Sequence, residues 1–107
     1  MISTHVLDTT LGAPAAGIGV KLQKKNADLW IDISSGMTNT DGRFVFDNDR
    51  TSGIYQIIFE IEEYQKRNFK DFFFLNTPVI FKIEDTNRKY HVPLLLNPFG
   101  HSTYRGS

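Results

Sequence analysis

The run YHVPLLL at 90–96 is apolar on both of its faces. Alternation along an extended chain puts Tyr90, Val92 and Leu94 on one side and His91, Pro93 and Leu95 on the other. A strand with one wet face alternates apolar and polar residues, whereas a strand apolar on both sides is covered on both. A chain of 107 residues has little material for a third layer, so the expected cover is another subunit. Pro93 cannot donate to a ladder and is expected at an edge or a bulge. The polar tail that follows, Tyr104 to Ser107, is then expected to be ordered at that interface with His91.

The rest of the chain breaks into short apolar and β-branched runs separated by turn residues, the pattern of an all-β sandwich or barrel. STHVLD is a first strand, followed by a loop punctuated by Gly12, Pro14 and Gly17. In IGVKLQKK the apolar Ile18, Val20 and Leu22 alternate with Gly19, Lys21 and Gln23, so one face is buried. LWIDIS is a less regular strand ended by Ser35 and Gly36. Asp41-Gly42 marks a tight turn leading through Arg43 into FVF. GIYQIIFEI, VIFKIED, RKYHVPLLL and HSTYRG complete about eight strands, the last two joined by a turn at NPFG. EEYQKRN, short and charged, is expected as a surface turn of helix. The phenylalanine cluster at 72–75 reads as core and interface filler, and KRNFK at 66–70 as a solvated charge run.

Residues 1–107 are expected to form one domain. The chain carries 12 basic and 12 acidic residues, a balance that argues against a nucleic-acid surface, which needs a basic patch. No apolar stretch approaches the roughly 20 residues of a membrane span. The start, MISTHVLD, lacks a charged lead and an apolar signal region, so the expected compartment is the cytoplasm. With no cysteine, disulfides and thiolate metal sites are excluded.

Chemistry-bearing side chains are few. The histidines are His5, His91 and His101. They lack HxH or HExxH spacing, so no metal or other cofactor is expected. A single strand histidine is ordinarily a surface or interface residue, and Arg43 taken alone reads as a solvated turn arginine. Paired carboxylates, a GxSxG elbow and a glycine-rich phosphate loop are absent.

Three segments carry a resemblance. STHVLDTTLGAPAAGIGVKL, TNTDGRFVF and YHVPLLLNPFGHSTYRGS are similar to the opening, second and closing motifs of the 5-hydroxyisourate hydrolases, transthyretin-like enzymes of urate breakdown. The likeness covers nearly the whole chain and is least distinctive over 47–77; the closing motif is its most specific part. It implies an all-β, transthyretin-like sandwich of two four-stranded sheets with one short helix. It also implies a homotetramer with active sites in a channel between dimers, and 5-hydroxyisourate as the small-molecule substrate. On the matching positions the family's histidines fall on His5 and His91, its arginine on Arg43, and its terminal tetrapeptide on Tyr104, Arg105, Gly106 and Ser107. Asn97 and His101 stand where members commonly have serine and tyrosine.

The expected catalytic set is His5, Arg43, His91 and Ser107, with His5, Arg43 and Tyr104 holding substrate. The expected reaction is water attack on a cyclic amide, giving 2-oxo-4-hydroxy-4-carboxy-5-ureidoimidazoline. Strict alternation opposes Tyr104 to Thr103 and Arg105, so Arg105 stays outside the expected site. Two other readings compete. A transthyretin-like carrier, which lacks the terminal tetrapeptide, would bind a small ligand without turnover. A carboxypeptidase-regulatory-like interaction module would need neither His91 nor a defined tail.

Overall fold

The structure, a computed structural model, describes residues 1–107. Nine strands and one helix follow one another as β1 (Ile2–Asp8), β2 (Ala13–Pro14), β3 (Gly19–Asn26), β4 (Leu29–Met37), β5 (Arg43–Phe46), β6 (Gly53–Glu60), α1 (Glu62–Asn68), β7 (Thr77–Ile83), β8 (Tyr90–Asn97) and β9 (Gly100–Thr103). The order β4-β3-β6-β7 makes one sheet. The other runs β2-β1-β8-β9, with β5 also on the β1 edge. The expected pair of four-stranded sheets is present; the two-residue β2, on the edge that β1 shares with β5, is the addition. No helix is long and apolar enough to cross a membrane.

Apolar alternation places the core between the sheets. Ile18, Val20 and Leu22 are fully buried, as the sequence pattern requires, and meet Ile57, Phe59, Leu94 and Leu96 from the other elements. In β1 the buried positions are Ile2, Thr4, Val6 and Asp8, which leaves Ser3, His5 and Leu7 on the outer face. In β8 Tyr90, Val92, Leu94 and Leu96 turn inward.

One pairing decides what the fold can do. β1 and β8 run parallel, with Ser3 opposite His91 and His5 opposite Pro93. Parallel neighbours need a long connection between them, and here nearly the whole chain serves as that connection. Both ends of the polypeptide therefore contribute to one sheet face.

Four expectations are corrected. β8 is an interior strand, so Pro93 does not sit at an edge. Its carbonyl accepts from the Thr103 hydroxyl at 2.7 Å, which shows that its missing N–H lies on the β9 side. The β9 ladder ends there with the Leu94–Thr103 pair and resumes only at the His91–Gly106 bridge, so the proline falls where the ladder is interrupted. HSTYRG is not one strand: β9 stops at Thr103, and only an isolated bridge between His91 and Gly106 follows. LWIDIS does not end at Ser35, since β4 runs on to Met37 past a register shift in its pairing with β3. The phenylalanine cluster is not among the four: Phe72 packs on the core as expected, and Phe73 and Leu75 are 72% and 59% exposed.

The helix is the fourth correction, because α1 is more than a surface turn. Seven residues are too few to hold a helix in water unaided. Acidic Glu62 and Glu63 in its first turn and Lys66 and Arg67 in its last suit the dipole, and Lys66 pairs with Glu62 at 3.3 Å. Such exposed pairs stabilise little. The anchoring is internal: Gln65 is fully buried and donates to the Phe74 carbonyl at 2.7 Å. The Tyr64 hydroxyl donates to Asp8 Oδ2 at 2.7 Å, while Asp8 Oδ1 accepts the N–H groups of Thr10 and Leu11. Burial, followed by that bond to Asp8, holds the Tyr64 phenol protonated well above its ordinary range. Replacing Tyr64 with phenylalanine strands one oxygen of a carboxylate that is fully buried. The expected loss is about 1–3 kcal/mol of unfolding free energy, read as a lower urea midpoint with an unchanged slope.

Candidate active site

The outer face of β1, β5 and β8 gathers the chemistry. His5 pairs across the antiparallel ladder with Arg43, and such partners hold their side chains side by side. His91 lies diagonally opposite, one step of two residues along β8 from Pro93. The two imidazole centroids are 6.5 Å apart with planes inclined at 38°. His5 and His91 are half-buried and Arg43 is exposed.

The loop before β5 explains how Arg43 is aimed. Asn39 Oδ1 accepts the backbone N–H groups of Asp41 and Arg43, closing the turn from inside. Gly42 has φ of 73°, and its carbonyl accepts from Val6 N–H at 2.8 Å, which docks the turn onto β1 beside His5. A Cβ at Gly42 would stand 2.5 Å from the Val6 carbonyl oxygen, so only glycine allows both the left-handed turn and the docking.

Charge sets the protonation of the pair. Desolvation is the largest effect lowering the affinity of both His5 and His91 for a proton, and the Arg43 guanidinium is the next. His5 adds a further push on His91; against the shift of His5 stand the Asp41 backbone and carboxylate. Both rings are therefore neutral near pH 7, the form that accepts a proton. Read as linkage, a lowered imidazole pKa means the unfolded chain takes up protons first, so this contribution is fully present above pH 6.5 and is lost as pH falls below it.

The tail reaches the same place. Gly106 N–H donates to the His91 carbonyl at 2.7 Å, which brings Ser107, the next residue, to the histidine strand. Tyr104 precedes Gly106 on the same tail. With Thr103 and Arg105 it borders a cleft of about 350 Å³ whose other walls include Phe81, Tyr90 and Val92. Val79 to Lys82 of β7, in the opposite sheet, complete its walls. The His91–Gly106 bridge keeps the register of the Leu94–Thr103 pair, which sets Tyr104 opposite Pro93. His101 is apart: its ring meets Phe74 edge-on at 5.0 Å, and its Nδ1 is buried without a partner. Asn97 closes the β8–β9 turn by accepting from Phe99 N–H. No group of three His, Asp or Glu side chains is arranged to hold a metal ion.

Sequence reasoning missed one participant. Ser3 Oγ is 2.8 Å from His91 Nδ1 across 88 positions of chain. The signal was available in part, since Ser3 and His5 share a face of β1, but only the parallel register identifies the partner.

Comparison with known proteins places this geometry in context. A 5-hydroxyisourate hydrolase of Salmonella dublin is 41% identical over 110 residues, covering 100% of this chain and 81% of that protein. The solved 5-hydroxyisourate hydrolase of Klebsiella pneumoniae superposes with a TM-score of 0.86 at 32% identity, covering 99% of this chain and 98% of that one. Sea bream transthyretin, solved with thyroxine, superposes with a TM-score of 0.91 at 26% identity, covering 98% and 93%. The backbone is thus shared by a 5-hydroxyisourate hydrolase and by a transthyretin solved with thyroxine. With residues 2–106 matching the model of the HIUase/Transthyretin family, the chain belongs to that family.

Proposed function

We propose that this chain hydrolyses 5-hydroxyisourate to 2-oxo-4-hydroxy-4-carboxy-5-ureidoimidazoline, a step of urate breakdown. The observation that carries the reading is the pair of imidazoles, 6.5 Å apart beside Arg43, with proton affinities lowered first by desolvation and next by the guanidinium. A carrier of small ligands has no need of two bases held neutral beside a fixed cation. The relatives named as hydrolases support the same choice, at 41% and 32% identity.

In the proposed mechanism, one imidazole takes a proton from water as the water oxygen bonds to the ring acyl carbon. The developing oxyanion is met by the planar donors of Arg43. The ring carbon–nitrogen bond then breaks, the imidazolium returns its proton to the leaving nitrogen, and a carboxylate remains. His5 and His91 share the positioning of water, and Ser107 supplies a hydroxyl to water or substrate. Tyr104, on the same tail, is assigned to the substrate ring. The site is proposed to be completed in a cytoplasmic homotetramer by a second copy seated on the outer face, where Val45 is 57% exposed and Leu95 half-buried. That exposed apolar surface beside the histidines supports the assembly.

The test generates 5-hydroxyisourate in situ by oxidising urate and follows the decay of its ultraviolet absorbance with and without protein. Acceleration is expected. Binding without acceleration would return the carrier reading, and a monomer on a sizing column with no acceleration would return the interaction module. The pH profile is a further expectation: kcat/KM rises along an acid limb whose midpoint lies below 6.5 and is flat above it, because both imidazoles have lowered proton affinity. A limb centred above 6.5 would contradict it.

A further inference from the structure

His91 has a serine hydroxyl at one edge of its ring and glycine backbone close to the other, and no catalytic role has absorbed either. On one edge Ser3 Oγ lies 2.8 Å from Nδ1. On the other, Gly106 lies so near that a Cβ built on it would stand 2.7 Å from His91 Cδ2 and 3.3 Å from Cγ. Nδ1 and Cδ2 are the two ring atoms bonded to Cγ, so contacts at both oppose rotation about the Cβ–Cγ bond. What they leave open is the far edge, Cε1 and Nε2. The two contacts come from opposite ends of the chain, Ser3 through the parallel β1–β8 register and Gly106 through its N–H bond to the His91 carbonyl at 2.7 Å.

We propose that Ser3 and Gly106 are positioning residues that clamp the His91 ring, with Nδ1–H donating to Ser3 Oγ and the Nε2 lone pair turned toward the reacting water. The inference rests on the hydrolase reading for its catalytic meaning, though not for its geometry. An imidazole can be donor at one nitrogen and acceptor at the other, and the bond at Nδ1 decides which is which. A serine hydroxyl accepts as readily as it donates, so it can hold the tautomer that frees Nε2. A bare glycine beside the ring keeps the torsion narrow without filling the space the ring needs. Gly106 is then a steric requirement: any side chain there must displace the imidazole.

The experiment uses the full-length protein with nitrogen-labelled histidine, and reads the His91 ring shifts by NMR beside kcat and KM. The unmodified protein is expected to show the Nδ1–H tautomer. Ser3→Ala is expected to shift His91 toward the tautomer mixture of free imidazole and to lower kcat about tenfold, the usual order for one lost hydrogen bond, with KM nearly unchanged. Ser3→Thr keeps the hydroxyl on a strand that suits branched residues, and is expected to restore both readouts. Gly106→Ala is expected to move the His91 signals and lower kcat in a chain that still folds. An Nε2–H tautomer in the unmodified protein, or a Ser3→Ala protein with unmoved His91 shifts and full kcat, would overturn the clamp. Because the ring shifts are read without substrate, a protein that turns over no 5-hydroxyisourate would end the hydrolase reading and still decide the clamp.

Discussion

His91→Asn is expected to lower the rate of 5-hydroxyisourate decay by about 10²–10⁴-fold, the range that a positioned acid–base group supplies, while the chain stays folded. The ring of His91 is half-buried on the outer face, whereas the inward neighbours Tyr90 and Val92 are untouched by the change. Asparagine is polar, of similar reach to the ring's near edge, and retains a group for Ser3 Oγ to meet. The backbone bond from Gly106 to the His91 carbonyl does not depend on the side chain. What asparagine cannot do is accept a proton near neutral pH and return it to a leaving nitrogen. Turnover is therefore expected to collapse with little change in the urea midpoint. Full activity in the variant would remove His91 from the chemistry.

The particular residues show which physical signals a linear sequence carries. Inward and outward positions of β3 and β8 were legible, because burial of one face forces a period of two and Ile18, Val20, Leu22, Tyr90, Val92 and Leu94 obey it. Partners are a different matter. Periodicity is blind to which strand lies alongside, so neither the parallel β1–β8 register nor the Ser3–His91 contact could be read from spacing. Pro93 misled for the same reason: a missing donor indicates an interrupted ladder, and here the interruption lies inside the sheet, between the Leu94–Thr103 and His91–Gly106 pairs. In α1, seven residues are too few for a helical stripe to show, and Tyr64 and Gln65 look polar until Asp8 and the Phe74 carbonyl are seen to receive them. His5, His91 and Arg43 were located by the likeness of the surrounding motifs, since single histidines and a turn arginine carry no spacing of their own. The tail was legible as a motif, whereas the end of β9 at Thr103 and the return of Gly106 to His91 were not.

Arg43→Gln carries the second large effect, and it has two parts that separate. Loss of the guanidinium removes the planar donors proposed for the oxyanion, and removal of one such donor costs about 10²–10³ in kcat. It also removes the cation that, after desolvation, does most to lower the proton affinity of both histidines. Each imidazole pKa must then rise toward 6.5, so the acid limb of the rate profile moves to higher pH. At pH 6 a larger share of the rings is protonated than in the unmodified protein, and the deficit there exceeds the deficit at pH 8, where the rings are neutral in both. Arg43→Lys keeps the charge and loses the fork. Its limb is expected to stay near the unmodified position while kcat still falls. Arg43 begins β5 on the surface, and the turn before it is closed by Asn39 and Gly42, so neither substitution should disturb folding. A glutamine variant with an unmoved limb would show that the guanidinium does not act on the histidines. Unchanged kcat at pH 8 would show that it does not meet the oxyanion.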